Sequence, residues 1–356
     1  FLSGTVVTGS TASSTVTVDG YGAASSTRNY GIYLVNAGTV LTSAGGNVVV
    51  TGVGGTGAAA ENKGILMEAD TAINATGSGS ITVTGTGGGA NSSLNAGIEM
   101  QTGTQIASVN GSVSVTGTGG GGATGTSNRG VSIGGSIKST GSGSVSVAGT
   151  GGPGSGGDNQ GVILERFGTG TVQEIKSSTG NVIVSGTAGG GSGSLGIKVN
   201  SVAGAPATIS TGGSGSIALV ADSMSLVTSA VISAPSVAIA PKTPGKNIDL
   251  GSASDTTANT LGLSQAELNT ITTTTLGLGD ANTASINLVA PITLPAGTTA
   301  NATAAVINLN GNTISGGTVN TTQSGSPLIA VEQPAGAVVS DGDTRSFGAV
   351  ILGSQS

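Results

Sequence analysis

Cysteine, histidine and tryptophan are absent from this chain of 356 residues. Without cysteine, the chain can form neither a disulfide framework nor a cysteine-based metal or redox site. Charge is also scarce, because only 7% of the residues are charged and the ten lysines and arginines are scattered among sixteen acidic residues. This composition excludes a basic patch for nucleic acid, so we expect no nucleic-acid partner.

Long apolar runs are missing as well. No stretch reaches the length of about 18 apolar residues that a spanning helix needs, so we expect no membrane span in this segment. Phe1-Leu2-Ser3 opens directly in repeat-like sequence, without the basic and apolar regions of a signal peptide. We therefore expect that the chain is processed or is a piece of something longer.

Aromatic residues make up only 2% of the chain, whereas glycine contributes 67 residues. A core must then be built from valine, isoleucine, leucine and alanine. Such a glycine-rich composition is compatible with disorder. The net charge is only -6, however, and the apolar residues follow a regular pattern, which favours a folded chain.

One short motif, Asn-x-Gly followed by isoleucine or valine, recurs between Arg28 and Lys198, and its sixth copy has serine in place of asparagine. The motif glycines are 33, 33, 33, 31 and 35 residues apart, at Gly31, Gly64, Gly97, Gly130, Gly161 and Gly196. A fixed period of this size predicts a stacked architecture in which each repeat packs on its neighbours.

Each repeat carries three apolar sites. The first is an alternating pair, at Val16/Val18, Val48/Val50, Ile81/Val83, Val113/Val115, Val145/Val147, Val182/Val184 and Ile217/Leu219. The second pair follows the motif glycine, at Ile32/Leu34, Ile65/Met67, Ile98/Met100, Val131/Ile133, Val162/Leu164 and Ile197/Val199. The third site is single, at Val40, Ile73, Ile106, Ile137, Ile175 and Ile209. Alternation with a period of two predicts strands with one buried face.

Three short strands per repeat predict an all-β chain folded as a parallel β-helix, or β-solenoid. Equivalent strands of successive coils would pair about 4.8 Å apart, so that columns of like side chains fill the interior. The coil is expected to be right-handed, as parallel β crossovers almost always are. The residue between the members of the second pair is expected to face outward or to be indifferent, at Tyr33, Leu66, Glu99, Ser132, Ile163 and Lys198.

Glycine-rich segments such as 84–91 and 116–123 separate the first strand from the second. Because they recur at one place in every repeat, we expect them to form stacked arcs that are the softest part of the structure. The motif asparagine has two interpretations. It can supply a left-handed turn residue, or its amide can form a ladder of hydrogen bonds along the axis.

The period of about 33 residues ends after Ile217. We divide the chain into residues 1–216, a β-helix of six repeats, and 217–356, its continuation with coils of roughly twenty residues. Prolines 235, 241 and 244 are expected at corners. Ser264-Gln265-Ala266-Glu267 is a capping-box signature and predicts a short helix near 264–272 that protrudes from or caps a side of the coil. Strands are predicted at 217–220, 236–240, 247–250, 285–289, 306–309, 328–331 and 348–352.

The second half also carries a recognisable block of motifs. It contains Thr243-Pro244-Gly245-Lys246-Asn247-Ile248-Asp249-Leu250-Gly251, then Leu261-Gly262-Leu263-Ser264, then Leu276-Gly277-Leu278-Gly279-Asp280, and Ile286 before Ala290-Pro291-Ile292. This block, over roughly residues 217 to 320, resembles filamentous-haemagglutinin-like bacterial exoproteins of the two-partner secretion type. The resemblance implies a secreted or cell-surface β-helical shaft in adhesion, aggregation or biofilm, mostly without a catalytic centre. The family's N-terminal secretion domain is not recognisable here.

Several β-helices act on polysaccharides, and such chemistry needs converging carboxylates. The acids here are dispersed, and two groups stand out: Asp341-Gly342-Asp343 with Arg345, and the pair Glu68 and Glu165, each four residues after a motif glycine. The first is better explained as a polar turn than as a weak calcium site, which needs six or more oxygens. The second is better explained as a solvated column. We therefore predict no catalytic residue, no cofactor and no metal ion.

The sequence thus predicts a non-catalytic structural shaft of a secreted or cell-surface bacterial protein, with a role in adhesion or extracellular matrix. Its expected partners are copies of itself or adjacent segments of a longer chain, and surface glycans or proteins of a host or neighbouring cell. One alternative is a filament subunit that stacks head-to-tail through open β-helix ends. A less favoured alternative is a polysaccharide-active enzyme that depends on Asp343.

Overall fold

The computed structural model describes residues 1–324 except 10, 12, 25–27, 59, 69, 166–172, 201–205 and 253–258. Beyond residue 324 it describes only two short strands, which pair antiparallel, Glu332–Gln333 and Ala337–Val338. The predicted strands at 328–331 and 348–352, and the group Asp341, Asp343 and Arg345, lie outside the described residues.

The first two thirds of the chain repeat three strands in a fixed order. In chain order these are β1 (Leu2–Ser3), β2 (Val6–Gly9), β3 (Val16–Tyr21), β4 (Ile32–Val35), β5 (Val40–Ser43), β6 (Val48–Val53), β7 (Ile65–Met67), β8 (Ala72–Ala75), β9 (Ile81–Thr86), β10 (Ile98–Met100), β11 (Gln105–Ser108), β12 (Val113–Thr118), β13 (Val131–Ile133), β14 (Ser136–Ser139), β15 (Val145–Thr150), β16 (Val162–Leu164), β17 (Gln173–Ser177), β18 (Val182–Thr187), β19 (Ile197–Val199), β20 (Ala207–Thr211), β21 (Ser216–Ala221), β22 (Met224–Leu226), β23 (Val231–Ser233) and β24 (Ser236–Ala240).

The second half continues with shorter elements. They are β25 (Asn247–Leu250), β26 (Thr260–Leu263), the helix α1 (Gln265–Leu268), β27 (Ile271–Thr272), β28 (Thr275–Leu278), β29 (Ser285–Leu288), β30 (Ile292–Thr293), β31 (Thr299–Ala304), β32 (Val306–Asn308), β33 (Ile314–Ser315) and β34 (Thr318–Gln323).

Each coil up to β24 gives one strand to each of three parallel sheets. Sheet A has eight strands, β1-β4-β7-β10-β13-β16-β19-β22. Sheet B has nine, β2-β5-β8-β11-β14-β17-β20-β23-β27, and sheet C has eleven, β3-β6-β9-β12-β15-β18-β21-β24-β28-β31-β34. The predicted parallel β-helix is therefore confirmed. Its right-handed sense stays an expectation from the general preference of parallel crossovers.

In-register pairing lines up the predicted apolar columns inside the coil. Ile98 has Ile65 and Val131 as its partners in the two adjacent coils, and all three side chains are fully buried. One predicted core position is wrong by a single residue, because Leu41 and not Val40 pairs with Ile73 and is buried. Successive strand residues face opposite sides, so a shift of one residue exchanges the buried and exposed sets.

The glycine-rich arcs begin later than predicted, because Thr84–Thr86 and Thr116–Thr118 still belong to β9 and β12. The arcs are stacked, as predicted, by hydrogen bonds between coils such as Gly121 N–H to Gly88 O at 2.9 Å. Glycine is required at the corner between sheets C and A. A Cβ atom at Gly85 or Gly97 would lie closer than 3.0 Å to backbone atoms.

The motif asparagines form the predicted ladder. The backbone N–H of Asn62 donates to Asn95 Oδ1 at 2.8 Å, and that of Asn95 donates to Asn128 Oδ1 at 2.9 Å. The pattern continues from Asn128 to Asn159, whose N–H donates to Ser194 Oγ at 3.0 Å. These asparagines are buried, so each amide satisfies a backbone group that water does not reach.

The other interpretation of the motif asparagine is wrong, because a different residue makes the left-handed turn. The residue before the asparagine has positive φ in each described copy, at Arg28, Glu61, Leu94, Ser127 and Asp158, and Gly193 occupies this place in the sixth copy. Since residues other than glycine lose energy in this conformation, five of the six copies carry local strain.

In the second half sheet C continues, whereas sheet A ends at β22 and other sheets take its place. Sheet C crosses the predicted boundary at residue 217 inside β21, which pairs with β18 and β24. A four-stranded parallel sheet D, β26-β25-β29-β32, follows β22, and β30 pairs with β33 in a small sheet E. Because β26 lies between β22 and β25, the order of these strands along the axis is the reverse of their order in the chain. The sequence pattern did not predict this reversal. Strands of sheet C in this half begin at 236, 275, 299 and 318, so a coil of 39 residues that carries β25, β26 and α1 precedes two coils of 24 and 19 residues. The prediction of roughly twenty residues per coil therefore does not describe the first of these three.

The predicted helix is α1, and both bonds of its capping box are present between Ser264 and Glu267. It does not protrude from the coil. Leu268 is buried in the core, and Glu267 Oε1 accepts a hydrogen bond from Leu226 N–H at 3.1 Å. The helix therefore caps a side of the coil where sheet A ends.

Leu94→Gly should stabilise the fold by about 0.5–1 kcal/mol, because glycine removes the left-handed strain and loses part of that gain to chain entropy. Leu94 has φ 63° and an exposed side chain, so little packing is lost. The free energy of unfolding from chemical denaturation measures the change. The control is Val109→Gly, which alters an equally exposed apolar residue without positive φ and should not stabilise.

Asn95→Ala should destabilise the fold by about 1–3 kcal/mol, because the buried Asn62 N–H loses its acceptor. Asn95→Ser should cost less, since Ser194 already fills this place in the sixth copy. The exposed Asn110 provides the control, and Asn110→Ala should leave the denaturation midpoint nearly unchanged. Equal midpoints for the Asn95 variants and the control would contradict a stabilising ladder.

Candidate functional site

The chemically richest surface of the described residues is the outer face of sheet A. It is built from the middle residue of each motif, the residue three positions later and the residue two positions after that. In consecutive coils these are Tyr30/Tyr33/Val35, Lys63/Leu66/Glu68, Ala96/Glu99/Gln101, Arg129/Ser132/Gly134, Gln160/Ile163/Glu165 and Leu195/Lys198/Asn200. The alternation of the strands turns these side chains away from the core.

Much of this outer face is shielded from water. Leu66 and Ile163 are 1% exposed, and Ser132 and Gln160 are 0% exposed. The expectation that the column from Tyr33 to Lys198 faces outward or is indifferent is therefore only partly right, because its central members face outward and are still buried. Sequence alternation reports which side of a strand a residue occupies, but it does not report what covers that side.

Two ion pairs run along this face from one coil to the next. Lys63 Nζ lies 2.9 Å from Glu99 Oε1, and these side chains are 8% and 11% exposed. Glu99 is also the strand partner of Leu66, so the pair closes over that residue. Two buried charges in contact neutralise each other, whereas removal of one would leave the other uncompensated.

The second ion pair joins Arg129 to Glu165, whose carboxylate also accepts a hydrogen bond from Ser132 Oγ at 2.7 Å. Next to it, Arg129 Nε and Gln160 Oε1 are buried without a hydrogen-bond partner. These two atoms are a donor and an acceptor in adjacent coils. Because Gln160 is wholly enclosed, the pair offers no opening for a ligand from solvent.

An aromatic group lies at the first described coils of this face. The rings of Tyr30 and Tyr33 are 5.0 Å apart edge to face, and Phe1 packs on Tyr33 at 5.4 Å. Lys63 Nζ lies 5.9 Å from the centre of the Tyr30 ring, within the range of a cation–π contact. Lys63 thus contacts both the aromatic group and its ion-pair partner Glu99.

Both tyrosine hydroxyls donate to carboxylates. Tyr30 donates to Glu61 at 3.0 Å and Tyr33 donates to Glu68 at 2.6 Å. Burial and the neighbouring carboxylate raise the pKa of Tyr30, and the same two causes raise the pKa of Tyr33 to about 12. Both hydroxyls therefore remain protonated donors at neutral pH.

The predicted carboxylate pair shares this face but is not a solvated column. Glu68 accepts hydrogen bonds from Tyr33 and Gln101. Glu165 lies three coils further along the chain and is paired with Arg129. Neither carboxylate faces the other across a space for substrate. Such an arrangement fits stabilisation of the sheet face better than acid–base chemistry, which needs two carboxyl groups flanking one bond.

The residues missed by sequence analysis are Glu61, Tyr30, Lys63 and Arg129. A signal for the ion pairs was present, because Lys63 and Arg129 each stand 36 residues before their acidic partner, about one repeat. The same separation joins Lys138 to Glu174 on sheet B at 3.3 Å. Opposite charges about one repeat apart are thus brought together by the stacking of coils.

Other features of the described residues offer less chemistry. No group of three or more acidic residues is close enough to hold a metal ion within this part of the chain. A small hollow near the last coils is lined almost wholly by apolar residues such as Leu294, Ile307 and Leu309. None of the helices in the described ranges is long and apolar enough to cross a membrane.

Comparisons with known proteins add no relative. No protein-family model matches the chain, and no curated protein or solved structure matches it significantly.

The raised pKa of Tyr33 gives a testable pH dependence. Its contribution to stability is present below the ordinary tyrosine value of 10.0 and is lost as pH rises through about 12, because the deprotonated hydroxyl can no longer donate to Glu68. Ultraviolet titration of the phenolates should show this late step, and Tyr33→Phe should remove the part due to Tyr33 while leaving that of Tyr30, whose pKa is raised as well. Glu68→Gln should move the Tyr33 part towards lower pH. The exposed Tyr21 gives the control, since Tyr21→Phe should leave the step unchanged.

Proposed function

We propose that this chain is a segment of a non-catalytic structural shaft in a secreted or cell-surface bacterial protein. The observation that carries the proposal is the unbroken parallel ladder of sheet C through eleven strands. At about 4.8 Å per strand, such a ladder spaces its first and last strands by roughly 48 Å. A continuous ladder of this kind fixes the distance between whatever lies at its two ends.

The stiffness of the shaft comes from its interior and its corners. Each coil buries about six aliphatic side chains, and each contributes on the order of 1.5–3 kcal/mol. The asparagine ladder and the stacked arcs add hydrogen bonds that run along the axis. Bending would break these axial contacts on one side of the coil.

The extracellular setting rests on the sequence resemblance to filamentous-haemagglutinin-like exoproteins, and the absence of cysteine is in keeping with it. In this proposal the shaft serves adhesion or an extracellular matrix, with surface glycans or proteins of another cell as candidate partners. Among the described residues, the carboxylates of sheet A are occupied by internal partners, which favours a structural role over catalysis.

The filament alternative is favoured by one observation. Phe1 and Val6 in the first described coil are 82% and 61% exposed, so this axial edge suits a further coil. An adjacent segment of a longer chain or a second copy would fill the same place. Electron microscopy of the purified chain distinguishes rods of one length from head-to-tail filaments.

The spacer role predicts that removal of one coil shortens the shaft without unfolding it. Deletion of residues 65–97 removes one repeat and joins Gly64 to Ile98, so every ladder can re-form. Because the chain has no cysteine, spin labels on Thr17→Cys and Asn301→Cys report one distance. Their backbones are nine strands apart, roughly 43 Å, and the deletion should shorten this distance by about 4.8 Å.

A deletion of residues 65–80 is the control, because removal of half a coil breaks the register and should unfold the chain. Loss of structure in the whole-coil deletion would contradict the spacer role. The enzyme alternative is tested with acidic polysaccharides, and any turnover that Asp343→Ala abolishes would overturn the non-catalytic assignment.

A further inference from the structure

We propose that the outer face of sheet C is a lateral docking surface for the same face of a second copy of this chain. The inference goes beyond the shaft role, because it concerns pairing side by side and needs neither a secretion route nor axial stacking. It follows from the charge, the register and the exposure of one sheet.

The outer face of sheet C lacks charge over most of its length. Its ten strands from β6 to β34 contain no lysine, arginine, aspartate or glutamate. Only the first strand of the sheet, β3, carries an acid, Asp19. A solvent-facing sheet surface ordinarily carries charges of both signs, which oppose association.

Most charges lie elsewhere on the molecule, and an exception besides Asp19 is Lys242, whose Nζ donates to Thr187 Oγ1 at the end of β18 at 2.6 Å. Among the described residues, ion pairs are found on the outer faces of sheet A and sheet B and beside one arc: Lys63–Glu99, Arg129–Glu165, Lys138–Glu174 and Arg28–Glu61. The chain as a whole has a net charge of -6. Two copies that met through another face would bring charges of the same sign together or strip paired charges of water.

The side chains on this face are small and continuous. One outward column runs through all eleven strands without a slip, from Thr17 through Thr82 and Ile183 to Asn320. The neighbouring column includes Thr84 and Ala148. Most members are threonine, serine, alanine or valine, which present methyl and hydroxyl groups of similar height.

This surface is open in the structure. Thr116 and Thr150 are exposed, and Ile183, near the middle of the sheet, is 41% exposed. The strands β6 to β34 of this sheet contain no aromatic or charged residue to orient a small ligand, and the ammonium group of Lys242 reaches only the end of β18. The surface therefore suits a broad partner of matching shape better than a single compact molecule.

A second copy is the occupant that fits best. Its face has the same strand spacing, so the columns of two copies match over their whole length, as in paired sheets with small interdigitating side chains. Ten strands at about 4.8 Å, with about six residues of 3.3 Å each, cover roughly 950 Å². This area reaches that of one side of a standard stable interface, about 800 Å². Two identical faces would meet about a twofold axis.

A matched pair of alanine substitutions tests the proposal. Ala148 on sheet C and Ala107 on sheet B both face outward on central strands and are both half-buried. Sedimentation equilibrium should show a monomer–dimer equilibrium for the unchanged chain. Ala148→Glu should weaken the dimer by about tenfold or more, because it places like charges in the interface. Ala107→Glu should leave the dimer unchanged.

Circular dichroism and denaturation midpoints establish that both variants fold. A monomer at every concentration of the unchanged chain would overturn the proposal, and so would equal effects of the two substitutions. Growth beyond the dimer that Ala148→Glu does not stop would indicate axial stacking and would also overturn it. The label distances in the coil deletion, measured on the Ala148→Glu background, test the shaft role separately.

Discussion

Parallel pairing in register between equivalent strands is the constraint on which the rest of this structure depends. Because each residue sits on the equivalent residue of the next coil, whatever the repeat places at one position becomes a column along the axis. An aliphatic column such as Ile65, Ile98 and Val131 fills the interior. A buried asparagine column becomes a ladder of amides. The same rule requires glycine where two sheets approach at a corner, because every coil meets the same close contact.

Register also governs the outer surface, since columns of like charge would repel one another. The chain avoids this in two ways. On sheets A and B, opposite charges are offset by about one repeat, so that Lys63 meets Glu99 and Lys138 meets Glu174. On sheet C, charge is almost absent and small polar residues take its place. The outer faces of the three sheets thus differ in chemistry, although all three sheets are formed by the same sequence repeat.

The fold can be predicted from the sequence because the residues of each column recur with a fixed period. The strands of the first half and the capped helix at Gln265–Leu268 both follow from local patterns. The errors also have physical reasons. Val40 and Leu41 are both apolar, so alternation alone could not decide which faces inward. The left-handed turn falls on residues as different as Arg28 and Leu94, which no propensity would select.

The sequence by itself determined that this protein is a stacked β coil without cysteine chemistry, because periodicity and composition are local and readable. Only the tertiary structure decided what the outward residues meet. Leu66 is buried on an outer face, Glu68 binds a tyrosine of the preceding coil, and β26 lies beneath β25 against the order of the chain. These outcomes depend on contacts between residues one coil or more apart, and a strand pattern states only which way a side chain points.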